Sequence, residues 1–204
     1  MLEDIIKKIK NNGHYINGWK SMKRASVAIL LVDVENETKV IFQVRAFHMR
    51  SQPGDISLPG GIIEDNETPK ETIEREVSEE LGLNIEDFEI VSQLDTLVMH
   101  YGLIIHPFLG YIKNYNKINI NKDEVDHVFL IPIDKLMKIE PIVNISKINV
   151  ERNEEFPYHL IKDGENYKFK EGLYKSLFYK YENYVIWGMT ALIIENFIND
   201  INNK

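Results

Sequence analysis

The sequence predicts one mixed α/β domain, and three observations support that fold class. Apolar runs typical of buried strands recur along the chain, at 26–33, 39–45, 103–112 and 125–132. Segments with helical spacing of apolar residues lie between and after them, at 69–81 and 183–200. No repeat or linker divides the 204 residues, so the strands and helices are expected in a single domain, 1–204.

The first 20 residues are predicted to form a helical extension, because Ile5, Ile6 and Ile9 recur at helical spacing. The runs at 26–33 and 39–45 are predicted to form a hairpin joined through Glu35–Thr38. Residues 46–60 contain two prolines and two glycines and are expected to be loop.

The segment 69–81 carries the clearest helix signals. Thr68 and Glu71 have the spacing of a capping box, with Pro69 at the first helical position between them. Gly82 follows at the place where a helix commonly ends. These signals predict a helix from Pro69 to Leu81.

Further strands are predicted at 88–99, 103–112, 125–132, 146–150 and 157–163. A short helix is predicted at 133–139, and a C-terminal helix is predicted within 183–204, with its apolar-rich part at 183–200.

Composition narrows the class of protein. The net charge of −8 argues against a nucleic-acid-binding protein, and no apolar run approaches the roughly 18 residues of a membrane span. Cysteine is absent, and the first residues do not resemble a secretory signal, so a cytoplasmic location is expected. Residues 1–60 carry nine Lys/Arg and six Asp/Glu, a net of +3, which leaves −11 for the remainder.

Acidic residues are concentrated between Gly60 and Leu83, a segment that contains eight acidic and only two basic residues. Like charges three or four apart on a helix repel by roughly 0.2–0.5 kcal/mol per pair. Glu76, Glu79 and Glu80 would share one helix face, which suits a hard divalent cation, and the bare carbonyl of Gly61 could add a ligand. A solvated acidic face is the alternative.

The spacing from Gly61 to Leu83 resembles the Nudix box, G-x5-E-x7-R-E-U-x-E-E-x-G-U, at all nine specified positions. The resemblance implies an α/β/α sandwich with a mixed sheet, and hydrolysis of a nucleoside diphosphate linked to another group with Mg²⁺ or Mn²⁺. It implies Glu76 and Glu80 as metal ligands, Glu79 as a ligand or base, and the Gly61 carbonyl as a ligand. It also implies that Arg75 orients a glutamate.

The segment before this box resembles the signature of coenzyme A pyrophosphatases, R-[SA]-x3-R-x3-G-x3-F-P-G-G, with Leu58 in place of phenylalanine. Two other stretches, 121–125 and 186–191, also resemble that family. The resemblance implies cleavage of coenzyme A or acyl-CoA to 3′,5′-ADP and 4′-phosphopantetheine. Guanidinium groups bind phosphates bidentately, so Arg45 and Arg50 are the candidate substrate-binding residues.

Alternatives remain open from the sequence. The substrate could be ADP-ribose, NADH or a nucleoside triphosphate, or the chain could be a non-catalytic Nudix module that senses a nucleotide. Glu124 is a candidate for the base that activates water, with a plain surface acid as the other interpretation. No nucleic-acid or membrane partner is expected, and a homodimer is left open beside a monomer.

Overall fold

A computed structural model describes residues 1–10 and 16–202. Within this part of the chain, the helices are α1 (Leu2–Lys10), α2 (Pro69–Leu81), α3 (Ile133–Leu136) and α4 (Gly188–Ile201). The strands are β1 (Lys23–Val34), β2 (Glu37–Arg45), β3 (Ile56–Ser57), β4 (Gly60–Ile62), β5 (Phe88–Gln93), β6 (Leu97–Met99), β7 (Leu103–Ile112), β8 (Val125–Pro132), β9 (Ile142–Ile148), β10 (Gly172–Tyr181) and β11 (Tyr184–Trp187).

The larger of two sheets is mixed. Strands β3, β2, β1, β7 and β5 lie side by side in that order, while β4, β6 and β8 pair with β1, β7 and β2. The central pair, β1 and β7, is parallel, and the remaining pairs are antiparallel. A smaller antiparallel sheet contains β9, β10 and β11.

Helices cover both faces of the larger sheet. Side chains of β1 alternate between the faces, so Ala28 and Leu30 join the core with α2, whereas Ile29 joins the core with α4. Burial of the apolar face of each helix against the sheet stabilises the fold by roughly 25 cal/mol per Å² of apolar surface removed from water. This helix–sheet–helix arrangement confirms the predicted α/β/α sandwich with a mixed sheet.

Several predicted elements are also confirmed, while others are corrected. Helix α2 and strands β7 and β8 have the predicted bounds, and β1 and β2 form the predicted hairpin. The run 88–99 divides into β5 and β6, and the loop 46–60 contains the two-residue strand β3. The strand predicted at 157–163 is wrong, because Tyr158–Leu160 form a single 3-10 turn. Strand β10 was not predicted.

The predicted C-terminal helix begins later than expected. Tyr184–Trp187 pair with β10 as strand β11, and α4 starts only at Gly188, whose φ of 64° allows the abrupt change of direction. Residues 203–204 of the predicted helix and 11–15 of the N-terminal extension lie outside the described residues. In the ranges 1–10 and 16–202, no helix combines the length and apolarity needed to cross a membrane.

Candidate metal centre

Helix α2 is fixed firmly at both ends. The Thr68 hydroxyl accepts a hydrogen bond from the Glu71 amide at 3.2 Å, and the Glu71 carboxylate accepts one from the Thr68 amide at 2.8 Å. Gly82 ends the helix with a left-handed φ of 63°. Because Ile73 and Val77 are fully buried between these ends, the polar face of α2 has a fixed orientation.

Three carboxylates meet beside this face. One oxygen each from Glu76, Glu80 and Glu124 lies within 4.8 Å of the others. Glu124 comes from the segment before β8, which is attached to α2 because the Asn121 amide donates to the Glu80 carbonyl at 2.9 Å. The same segment is closed by a hydrogen bond of 3.1 Å from the Glu124 amide to the Asn121 carbonyl. Backbone contacts therefore bring a distant carboxylate to the helix.

Glu80 is the most deeply buried member, with 2% of the residue exposed. Its carboxylate accepts hydrogen bonds from the Gly60 amide at 2.8 Å and the Gln43 side-chain amide at 2.9 Å. Burial raises the pKa of Glu80 to about 8, and the negative charges of Glu76 and Glu124 add to the rise. The two hydrogen bonds oppose this rise but do not cancel it. A positive charge placed among the three carboxylates would therefore be stabilised there.

Glu76 packs closely against the glycine turn. Its side chain is 12% exposed, and burial raises its pKa, although the Arg75 guanidinium opposes that rise. A Cβ atom at Gly61 would lie 2.2 Å from a Glu76 carboxylate oxygen. Only glycine at position 61 therefore lets the backbone approach this carboxylate.

Arg75 organises the outer side of the cluster. Its guanidinium donates to both carboxylate oxygens of Glu67, at 2.8 and 3.1 Å, and to Glu76 and Glu79, each at 2.9 Å. The hydrogen bonds from Arg75 and Thr72 lower the pKa of Glu67 to about 2. The Glu79 side chain is 51% exposed and is held against Arg75.

The donor set fits a hard divalent cation. The three clustered carboxylates offer only oxygen, which Mg²⁺ and Mn²⁺ prefer. Two further buried oxygens, Ser26 Oγ and Gln43 Oε1, have no hydrogen-bond partner among the described residues. Ser26 lies opposite Gly61 in the β1–β4 pair. Buried polar atoms usually have partners, so these oxygens mark places where water or a ligand would complete the site.

The structure separates the two predicted substrate-binding arginines. Arg45 lies at the end of β2, where its Nε atom is buried and has no hydrogen-bond partner in the described part of the chain. Arg50 is exposed in the loop after β2. The sequence-based prediction missed Gln43 and Ser26, although a polar residue inside each apolar strand was a usable signal.

The fold and the site together define an α/β protein with a cluster of carboxylates beside a capped helix that could hold a divalent cation. The NUDIX domain family matches residues 22–155, and the chain therefore belongs to the Nudix hydrolase family. The Nudix resemblance predicted from the sequence is confirmed.

Three similar proteins illustrate the range of the family. Nudix hydrolase 3 of Caenorhabditis elegans is 38% identical over 117 residues, which are 55% of this chain and 49% of that protein. A peroxisomal coenzyme A diphosphatase of Mus musculus is 29% identical over 173 residues, covering 84% of this chain and 67% of that protein. The crystal structure of a MutT/nudix family protein from Enterococcus faecalis, 16% identical, superposes with a TM-score of 0.51, over 100% of this chain and 70% of that one.

The chain spans about half the length of several curated relatives that it matches, from 49% to 56%. The likeness to the Enterococcus faecalis protein shows the fold alone. The name of the mouse relative places that protein in the peroxisome, so the cytoplasmic location expected for this chain stays a prediction.

Proposed function

We propose that the protein hydrolyses the pyrophosphate of coenzyme A or an acyl-CoA, using Mg²⁺ or Mn²⁺. The observation that carries this proposal is the cluster of Glu76, Glu80 and Glu124, largely removed from water beside the Gly60–Gly61 turn. Three carboxylates held this close, two of them with raised pKa, are stable together when cations neutralise them.

Each residue has a defined part in the reaction. Divalent cations bound there would neutralise phosphate charge and make a water molecule more acidic. Glu76 and Glu80 would hold the cations, and the Gly61 carbonyl is a further candidate ligand. Arg75 keeps Glu76 and Glu79 in position. Glu124 and Glu79 are the two candidates for the base that takes the proton from the attacking water.

Coenzyme A is favoured as substrate for two reasons. The segment before the catalytic turn has the R-A-x3-R-x3-G spacing of coenzyme A pyrophosphatases, from Arg45 to Gly54. The mouse relative, which aligns over 84% of this chain, is itself a coenzyme A diphosphatase. Attack at phosphorus would give 3′,5′-ADP and 4′-phosphopantetheine.

Product analysis tests this proposal. The purified protein is incubated with coenzyme A and Mg²⁺ or Mn²⁺ in ¹⁸O-labelled water, and products are identified by mass spectrometry. We expect 3′,5′-ADP and 4′-phosphopantetheine, with one label in a phosphate. Parallel reactions with ADP-ribose, NADH and nucleoside triphosphates test the other substrates. Faster cleavage of one of these would overturn the coenzyme A assignment, and no cleavage of any would favour a nucleotide-sensing module.

The two candidate bases can be separated by matched variants. Glu124→Gln and Glu79→Gln each remove one negative charge and keep the side-chain shape. The variant that lacks the base should lose the acidic limb of the pH–rate profile as well as turnover. A variant that merely lacks a metal ligand should recover turnover at higher Mn²⁺ concentration.

A further inference from the structure

Strand β9 is exposed along nearly its whole length. It lies at one edge of the smaller sheet, six of its seven residues are exposed, and none of them belongs to either hydrophobic core. Three large apolar side chains, those of Ile142, Val143 and Ile145, are 54, 51 and 56% exposed. Because side chains alternate along a strand, these three lie on both faces of the sheet. The strand therefore has apolar surface that the rest of the described chain does not cover.

The outer edge of β9 also has unpaired backbone groups. Its backbone pairs with β10 on one side, and within residues 1–10 and 16–202 no backbone hydrogen bond joins 142–148 to a further element. The edge of a sheet presents a row of free N–H and C=O groups, which can pair with a strand of another chain. Natural proteins usually protect such an edge with charges, proline or a covering element, and β9 contains one lysine and no proline.

The sequence of β9 is complementary to an antiparallel copy of itself. A two-fold axis through Ile145 places this residue opposite its own counterpart. In the same register Ile142 lies opposite Ile148, and Asn144 lies opposite Ser146. Apolar residues thus face apolar residues, and polar residues face polar residues. Directly opposite side chains are the pairs that stabilise a sheet.

The neighbouring two-fold registers fit less well. An axis through Asn144 would place Ile142 opposite Ser146, and an axis through Ser146 would place Ile145 opposite Lys147. Each of these registers puts an apolar side chain against a polar or charged one. The pattern of β9 therefore favours the axis through Ile145.

The charges of β9 agree with this register. Lys147 is the only charged residue of the strand, and it lies opposite Val143, which its apolar stem can cover. The two lysines of a pair are separated by four positions, about 13 Å along the strand direction. Each lysine keeps its salt bridge to Glu171 of its own chain, at 2.8 Å. No like charges face each other, although the whole chain has a net charge of −8.

We propose that β9 pairs with β9 of a second copy of this chain, antiparallel and with Ile145 on the two-fold axis. The smaller sheets of the two copies then join into one sheet of six strands. The inference goes beyond the proposed function and does not depend on it, because the clustered carboxylates lie outside β9. A strand of seven residues is much less than the roughly 20–30 residues a side of a stable interface, so the dimer is weak and forms at high protein concentration.

Sedimentation equilibrium over a range of protein concentrations tests this proposal. We expect a monomer in dilute solution, a dimer in concentrated solution and no larger species, because a two-fold contact is closed. Ile145→Lys replaces an apolar pair by two like charges and should weaken the dimer by about tenfold or more. Leu160→Lys makes the same change of charge at a residue that is 74% exposed and outside β9, so it should leave the association unchanged. Circular dichroism checks that both variants are folded.

Single cysteines test the register, because the chain has no cysteine of its own. Residues directly opposite in an antiparallel pair have Cα atoms about 4.5–5.5 Å apart, which suits a disulfide. Under mild oxidation, Ile145→Cys should therefore form a covalent dimer at least about tenfold faster than Leu173→Cys. Leu173 is 72% exposed but lies in β10, at least about 14 Å from its counterpart. A mixture of Asn144→Cys and Ser146→Cys should form the mixed dimer faster than either variant alone forms a dimer.

Several results would overturn the proposal. A wild-type protein that stays monomeric at every concentration has no such contact. A dimer that persists in Ile145→Lys uses a surface other than β9, and equal cross-linking of Ile145→Cys and Leu173→Cys excludes the proposed register. Neither measurement requires turnover, so the proposed function and the dimer can fail separately.

Discussion

Glu80→Gln should stabilise the metal-free protein at high pH while removing most of its activity. The substitution keeps the size of the side chain. The introduced glutamine can accept the hydrogen bond from the Gly60 amide, and its own amide can donate to Gln43 Oε1 once the Gln43 amide turns over. The only loss is the negative charge that the cation needs.

The magnitude follows from the pKa of Glu80, which is about 8 in the folded protein against an ordinary value of 4.5. Because the folded value is raised, the proton stabilises the fold fully below about pH 4.5, and this stabilisation is lost as pH rises through 8. At about 1.36 kcal/mol per pKa unit, the acidic side chain of Glu80 costs about 5 kcal/mol at high pH and about 3 kcal/mol at pH 7. A glutamine side chain has no such proton to lose and avoids this cost.

Denaturant unfolding in EDTA at pH 5, 7 and 9 measures this effect. The gap in unfolding free energy between variant and wild type should widen in favour of the variant by several kcal/mol from pH 5 to pH 9. Glu79→Gln is the control, because the Glu79 side chain is half exposed and should show no such widening. Parallel curves for Glu80→Gln and wild type would refute the burial argument, and near-normal turnover with Mg²⁺ would refute the metal assignment.

Three further outcomes are expected. Gly61→Ala should reduce Mg²⁺-dependent turnover strongly, because the added Cβ would lie 2.2 Å from a Glu76 carboxylate oxygen. Gly172→Ala is the control, since its Cβ would lie 3.3 Å from a side-chain carbon and should leave turnover unchanged. Equal effects of the two variants in kinetic assays would contradict this prediction. Glu67→Gln should destabilise the protein above about pH 4.5. The difference in unfolding free energy between wild type and variant should shrink toward pH 2, where Glu67 of the wild type gains its proton, and acid unfolding curves of both proteins measure it. Mg²⁺ should raise the melting temperature more at pH 9 than at pH 6, because binding requires ionised carboxylates, and a larger rise at pH 6 would oppose the assignment.

The parts of the fold that the sequence predicted well are those with local signals. The capping box, the proline at the first position and Gly82 lie within or beside α2, so its bounds could be predicted without knowledge of any other element. The Nudix box spacing likewise identified Glu76 and Glu80. Their roles, with those of Glu79 and Glu124, stay predictions until tested.

The parts that the sequence did not predict depend on distant partners. Strand β10 carries lysine and serine among its apolar residues, and its pairing with β9 lies 24 to 36 positions away in sequence. The apolar residues of β11 are compatible with an extension of helix α4. The segment is a strand because it pairs with β10, which the local sequence does not reveal. Gln43 was missed because its partner Glu80 is 37 residues away.

Strand β2 brings a polar side chain to the candidate metal centre. Alternation along the strand places Val44 and Gln43 on opposite faces of the sheet, so Val44 packs in the core with α4, whereas Gln43 contacts Glu80 on α2. The β2–β8 pairing shifts register where Val44 faces His127 and Arg45 faces Val125, so the skipped residue, Asp126, lies in β8 and not in β2. This irregularity lies directly after Glu124, the carboxylate that β8 brings to the cluster, while β2 stays regular beside it. The alternation that buries the apolar side chains of β2 therefore also fixes the direction of Gln43, and a shift of β2 by one residue would remove Gln43 from Glu80.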